Sequence, residues 1–169
     1  QKGDYDKILE FNKLIKQNCN RLIRLINNFI DSTKLENNKV EIHKKRVNIV
    51  SITEDITMSV INFAKRQKID VVFDAEQEEL YCDIDIDQME RIMLNILSNA
   101  IKYNNPNGNI DVIVKDRKEK VYIDVIDSGI GIPKDRINTI FDRFERMENK
   151  NAVIKEGSGI GLSIVKKLV

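Results

Sequence analysis

Four polar residues within DQMERIMLNILSNAIKYN, residues 87–104, have types and spacing suited to chemistry. Asn95, Asn99, Lys102 and Tyr103 stand at i, i+4, i+7 and i+8, so a helix puts them on one face. That face offers amide oxygens and an ammonium. A hard divalent cation takes oxygen ligands, and Mg²⁺ keeps several waters while dividing its remaining positions between protein and phosphate, so a single Asn carbonyl is enough. Asn residues on helices also serve simply as solvated or capping groups, and spacing alone leaves both readings open.

A second stretch, DVIDSGIGIP over residues 124–133, reads as a strand ending in Asp127. Gly129 and Gly131 then let the backbone turn sharply and approach a flat ligand. A carboxylate there can accept a hydrogen bond from an exocyclic amine such as that of adenine; the other reading is a turn ahead of a helix capped around Pro133. A third stretch, IFDRFERMENKNAVIKE over residues 140–156, sets Phe141 and Phe144 three apart beside Arg143 and Arg146. Rings at that spacing also suit a core, and residues 147–156 have the composition of a mobile loop.

The fourth, GSGIGLSIVKK over residues 157–167, has Gly157, Gly159 and Gly161 leading into a helix expected from about Leu162. Bare amides and the positive end of a helix dipole suit a polyphosphate. The spacing is not that of a Walker loop, and it is not a dinucleotide fingerprint, because a polar loop precedes it where a strand is required.

These residues need elements to position them. Residues 4–36 contain neither Pro nor Gly, and Ile8, Phe11, Ile15, Leu22, Leu25 and Phe29 recur at helical spacing. Positions 8, 15, 22 and 29 form a heptad seam widened by Cys19 and Ile26, with Asn18 among them. This predicts a bundle helix of roughly 45 to 50 Å that packs against a helix from another subunit or another part of the protein. Beyond it, a short strand is expected over residues 40–47, including His43, and a helix capped by Asn48 or Ser51 to about Gln67. Strands over 69–73 and 80–84, a helix over 87–103, and strands over 110–114 and 121–126 joined by the charged turn 116–120 complete the pattern. On the helix over 87–103, Ile92, Leu94, Ile96 and Leu97 are the expected apolar contacts. The mixture predicts an α+β, two-layer α/β sandwich: a mixed sheet with helices on one face, preceded by the long helix. No internal repeat or low-complexity segment interrupts it.

The chain of 169 residues carries 28 Lys and Arg against 27 Asp and Glu, a net charge near +1 that points to no nucleic acid and no anionic membrane surface. The run His43-Lys44-Lys45-Arg46 reads as a solvated face. With 41% hydrophobic residues the chain can build a core. Cys19 and Cys82 match no metal or redox spacing and read as reduced, buried thiols of a cytosolic protein. No apolar run is long enough to span a membrane. Because the chain starts at Gln1 rather than Met, a fragment is expected, cytoplasmic itself, with membrane parts, if any, outside it.

The order of Asn helix, Asp-Gly-Gly turn, Phe pair, loop and glycine triplet closely resembles the catalytic, ATP-binding domain of sensor histidine kinases in the GHKL superfamily, where these are the N, G1, F and G2 boxes. The likeness covers residues from about 35 to 169. It implies a Bergerat-type ATP-binding fold over 39–169. It also implies that residues 1–38, with their IDSTKLE exit, resemble the second helix of the family's dimerisation and phosphotransfer hairpin. By motif position the resemblance implies that Asn99 coordinates Mg²⁺, with Asn95, Lys102 and Tyr103 around the metal and phosphates; Asn95, Asn99 and Lys102 form the catalytic set. It implies that Asp127 binds the adenine amine, that Gly129, Gly131 and Ile132 shape its pocket, and that Phe141 and Phe144 hold the base of a lid. Gly157, Ser158, Gly159, Ile160, Gly161 and Leu162 are implied to receive the phosphates.

Hydrolysing members of the superfamily resemble this helix but place a Glu where Asn95 stands. An amide cannot act as a general base, which favours transfer of the ATP γ-phosphoryl group to an imidazole over attack by water. The chain departs from the family in three respects. His43, its one histidine, lacks the acidic neighbour and Pro of the phosphoacceptor box; the first hairpin helix is missing; and the strands that follow the G2 helix are missing. The expected function is the kinase portion of a homodimeric sensor histidine kinase that phosphorylates a histidine outside this chain for relay to a response regulator receiver domain. The alternative is a nucleotide-binding scaffold without transfer activity.

Overall fold

The computed structural model describes residues 41–142 and 159–169. The helix expected over residues 4–36, with Cys19, lies outside them, as do the loop 147–156, Phe144, Gly157 and Ser158. The description therefore concerns the unit Glu41–Val169.

Strand β1 (Lys45–Asn48) begins later than the alternation of residues 40–47 predicts. Residues 41–44 find no strand partner, and the backbone N–H of His43 donates instead to the Asp85 carboxylate at 2.8 Å. Only from Lys45 does β3 (Tyr81–Ile84) lie alongside, antiparallel, with Lys45 opposite Ile84 and Asn48 opposite Tyr81. Helix α1 (Ile49–Arg66) follows at once, capped by Asn48 rather than Ser51. The Asn48 Oδ1 accepts from both Val50 N and Leu80 N at 3.1 Å. One amide thus starts the helix, a cap worth about 1 kcal/mol, and pins the approach to β3.

The remaining strands form a separate three-stranded mixed sheet. Strand β4 (Asn109–Arg117) lies between β2 (Asp70–Ala75), parallel to it, and β5 (Lys120–Asp127), antiparallel to it. The β4–β5 hairpin turns at Lys118, whose φ of 61° is left-handed. Helix α2 (Ile86–Lys102) crosses over between β3 and β4, and α3 (Gly161–Leu168) packs beside it.

One face of the sheet carries the core. Ile110, Val112 and Val114 of β4 are buried together with Ile49, Ile56 and Ala64 of α1 and Met89, Met93, Leu97, Ala100 and Ile101 of α2. On the opposite face Val72, Tyr122 and Ile126 are exposed. The α+β expectation of helices on one side of a mixed sheet holds, with β1 and β3 split off as their own ribbon.

The core stripe on α2 differs from the expected one. Leu97 is fully buried, but Leu94 is exposed, and the inward positions are Met89, Met93, Leu97, Ala100 and Ile101. The reason is geometric: positions 89, 93, 97 and 100 follow one another by a helical turn, whereas 94 lies at the outer edge of that stripe. Each large side chain so buried contributes about 1.5 to 3 kcal/mol, so the core sets how α2 is rotated and therefore where its Asn residues point.

Cys82, half-buried on β3, is a free thiol. Burial, then the neighbouring Asp83 carboxylate, pushes its pKa up, so it is a poor thiolate and carries no chemistry.

Candidate functional site

Asp85 starts the helix that bears the site. Its side chain caps α2 by accepting from Gln88 N at 3.1 Å. The His43 N–H first, and Gln88 N–H second, hold its carboxyl below the usual carboxylate range, because both bonds favour the charged form. The helix then presents Asn95, Asn99 and Lys102, all half-buried, with Tyr103 as C-cap. The structure brings these four onto one side as their spacing requires.

Asn99 is half-buried on this face. Its side-chain amide makes no hydrogen bond to another described residue, while its backbone carbonyl accepts from Tyr103 N at 2.9 Å. An amide oxygen of this kind suits a hard cation. Among the described residues no group of three or more His, Cys, Asp or Glu is placed to hold a metal. A cation at Asn99 would therefore depend on phosphate oxygens and water for its other positions, which fits Mg²⁺. Lys102 Nζ donates to the Tyr103 hydroxyl at 2.9 Å and lies 4.5 Å from the centre of its ring. The ammonium is thereby held close to the C-terminal end of the helix.

Asn95 is placed differently. Its Nδ2 donates to Arg91 O at 2.9 Å, one turn back on its own helix. Its Oδ1 lies 2.7 Å from the position that a Cβ on Gly161 would occupy. Gly161 was expected in the loop, but it is the first residue of α3, with Ile160 as N-cap and no side-chain cap bond. The missing Cβ allows the N-terminus of α3 to sit against Asn95. Loop freedom belongs to Gly159 instead, whose φ is +70°. Ile160 is buried, Leu162 is half-buried, and Ser163, Ile164 and Val165 anchor α3 in the interior.

At the other end of α2, the turn after β5 rests on the helix C-terminus. Asp127 is exposed, and its Oδ1 accepts from Gly129 N at 2.9 Å. Ile130 N donates to Tyr103 O at 3.1 Å. A Cβ on Gly129 would meet Tyr103 O at 2.5 Å and Asp127 Oδ1 at 2.6 Å, so this backbone approach is open only to glycine. Gly131 is required for a different reason, a φ of +67° with empty space around it. Ile132 is exposed. Gly129→Ala is expected to dislodge the turn from Tyr103 O and to lower stability by about 1 to 3 kcal/mol, the scale of a buried hydrogen bond left unmade; chemical denaturation checks it.

Residues 134–141 form successive turns rather than a helix after Pro133, with Arg136 N donating to Pro133 O and Ile140 N to Arg136 O. Phe141 is half-buried, and Lys166 Nζ of α3 lies 5.9 Å from the centre of its ring. The start of the third stretch is thus brought beside the helix of the fourth. Four residues that sequence reasoning passed over, Asn104, Asn105, Gly108 and Ser128, also converge here; the Asn-rich run NNPNGN holds the first three, and Ser128 lies between Asp127 and Gly129.

The arrangement is an amide-bearing helix flanked at Asn95 by a helix N-terminus and at Tyr103 by a carboxylate-bearing glycine turn. Residues 84–169 match the family described as histidine kinase-, DNA gyrase B-, and HSP90-like ATPase, and the chain belongs to that family. Within it, the similar proteins are histidine kinases. The chain is 34% identical over 167 residues to Histidine kinase P4 of Formosa agariphila, covering 97% of this chain and 12% of that protein. It is 31% identical over 159 residues to Sensor histidine kinase WalK of Bacillus subtilis, covering 92% of this chain and 26% of that protein. The chain therefore spans 12% and 26% of the length of these two relatives. The catalytic domain of histidine kinase ThkA superposes with a TM-score of 0.65 at 25% identity, over 75% of this chain and 79% of that one. ThkA solved with the response regulator protein TrrA shares the fold, with a TM-score of 0.72 at 22% identity over 92% of this chain and 42% of that one. Among the described residues no helix is long and apolar enough to cross a membrane.

Proposed function

We propose that the chain is the ATP-binding, kinase portion of a sensor histidine kinase, which transfers the γ-phosphoryl group to a histidine outside this chain for relay to a response regulator. The observation that carries this reading is the gathering of Asn99, Asp127 and the start of α3 around one helix. Asp127 has one oxygen engaged by Gly129 N at 2.9 Å and a second carboxylate oxygen suited to the adenine amine. Asn99 holds Mg²⁺ through its amide oxygen, and the metal supplies charge neutralisation of the phosphates. Lys102 adds a positive charge on the same face. Gly159, Ile160 and Gly161 lead into the positive end of α3, which favours phosphate oxygens. Phe141, together with Phe144, forms the base of the lid over the nucleotide.

Transfer rather than hydrolysis follows from Asn95. Its Nδ2 donates to Arg91 O and its Oδ1 faces Gly161, and an amide does not remove a proton from water. The protein's contribution is then to hold the γ-phosphoryl group in place and shield its charge. Residues 1–38 supply the second hairpin helix and with it a homodimer, and TrrA bound to ThkA supports a receiver domain as the onward partner.

Titration with ATP, with and without Mg²⁺, followed by addition of a separate hairpin bearing the phosphoacceptor histidine and γ-labelled ATP, tests the reading. Mg²⁺-dependent binding and acid-labile label on the hairpin are expected. Binding without any label on the hairpin would leave a nucleotide-dependent scaffold and remove the kinase.

A further inference from the structure

Four polar residues are buried among the described residues: Thr53, Thr57, Ser163 and Asn104. The first three return their hydroxyls to a carbonyl of their own helix or its cap, Thr53 to Ile49 O, Thr57 to Thr53 O and Ser163 to Ile160 O. Asn104, only 5% exposed, differs in bonding across elements. Its Oδ1 accepts from Asn105 N at 2.9 Å and from Ser128 Oγ at 3.1 Å, and its Nδ2 donates to Asn109 O at 3.1 Å. The Ser128 hydroxyl in turn accepts from Asn109 N at 2.9 Å. Asn105 Nδ2 donates to Ser128 O at 2.6 Å. One buried amide therefore joins the end of α2, the first residue of β4 and the turn after β5. Gly108 completes the closure: a Cβ there would lie 2.2 Å from Asn104 Oδ1 and 2.6 Å from Ser128 Oγ.

We propose that Asn104 is a positioning residue for the nucleotide site, latching Ser128 so that Asp127 is held in register with Asn99. The proposal rests on the ATP-binding reading above. Ser128 stands between Asp127 and Gly129, so fixing its hydroxyl and carbonyl fixes the carboxylate that precedes it. The turn has further supports in the Ser128 N–H bond to Asn109 O and the Ile130 N–H bond to Tyr103 O, both 3.1 Å, and the position of a Gly129 Cβ is 3.1 Å from Asn104 Cα. The latch touches the carboxylate end of the site alone. Asn99 lies within α2, one turn before its end, and the N-terminus of α3 sits against Asn95 through the Gly161 contact. Loosening the latch therefore affects recognition of the exocyclic amine and spares the phosphate end.

Affinities for Mg²⁺-ATP and Mg²⁺-inosine triphosphate, which lacks that amine, separate this role from general stability. They are measured by calorimetry on the full chain, on Asn104→Ala, on Ser128→Ala and on Asp127→Asn. Asn104→Ala is expected to weaken ATP binding about tenfold, the scale of a hydrogen bond to a charged group, while inosine triphosphate binding is unchanged. The preference for ATP then falls toward that of Asp127→Asn, and combining the two substitutions adds little further loss. Ser128→Ala, at an exposed residue, produces a smaller fall of the same kind and decides the matter if Asn104→Ala does not fold. Equal loss for both nucleotides, or an unchanged preference in these variants, overturns the proposal alone. A wild-type chain that binds ATP no better than inosine triphosphate overturns the adenine reading, and the proposal with it.

Discussion

Asp127→Asn is expected to lower ATP affinity by roughly ten- to a hundredfold, which at 1.4 kcal/mol per factor of ten corresponds to the value of a hydrogen bond to a charged group. The substitution is isosteric, and the remaining side-chain oxygen can still accept from Gly129 N, the bond seen at 2.9 Å. The turn therefore survives. The new NH₂ group then faces the adenine amine, donor against donor, in place of the carboxylate oxygen that accepted from it. Calorimetric titration measures the loss, and an unaltered circular dichroism spectrum shows that the chain is still folded. Wild-type affinity in this variant would remove Asp127 from the adenine contact.

Asn99→Ala acts at the opposite end of the ligand and on a different quantity. Metal stabilisation of charge on a transferring phosphoryl group amounts to several kcal/mol, so transfer to the histidine hairpin is expected to slow by roughly a thousandfold. The added effect of Mg²⁺ on ATP affinity should vanish as well. Affinity in the absence of metal should stay the same, since the Asn99 side chain has no hydrogen-bonded partner among the described residues whose loss would reshape α2. The helix itself should tolerate the change, because Ala is the residue most favourable to it. The checks are a transfer time course and a pair of titrations with and without Mg²⁺. Undiminished transfer would exclude Asn99 as the metal ligand.

These two effects arise at sites 28 residues apart in the chain, Asn99 and Asp127, and the fold brings them together through the C-terminal end of α2. The core governs this placement. Met93, Leu97 and Ile101 bury one face of the helix against Ile110 and Val112, which turns Asn95 and Asn99 away from the sheet. Tyr103 then offers its carbonyl to the turn after β5. Structural support and the proposed ligand chemistry share one helix but occupy different faces of it.

The sequence by itself determined what depends on neighbours within a few residues. The helical period of residues 87–103, a helix capped at Asn48 or Ser51, the hairpin between β4 and β5 and the face shared by Asn95, Asn99, Lys102 and Tyr103 all follow from local spacing and short-range hydrogen bonds, and each lies close to where it was expected. Tertiary structure decided what depends on distant partners. Strand β1 begins at Lys45 because β3 ends opposite it, and His43 gives its N–H to Asp85, 42 residues away. Leu94 is exposed because the sheet selects one helical face among several apolar residues. Gly161 read as a loop glycine, yet its missing side chain makes room for Asn95, a contact that no local pattern encodes. The same holds for Asn104 and Ser128, 24 residues apart: a buried amide must find partners, and only the folded chain supplies them.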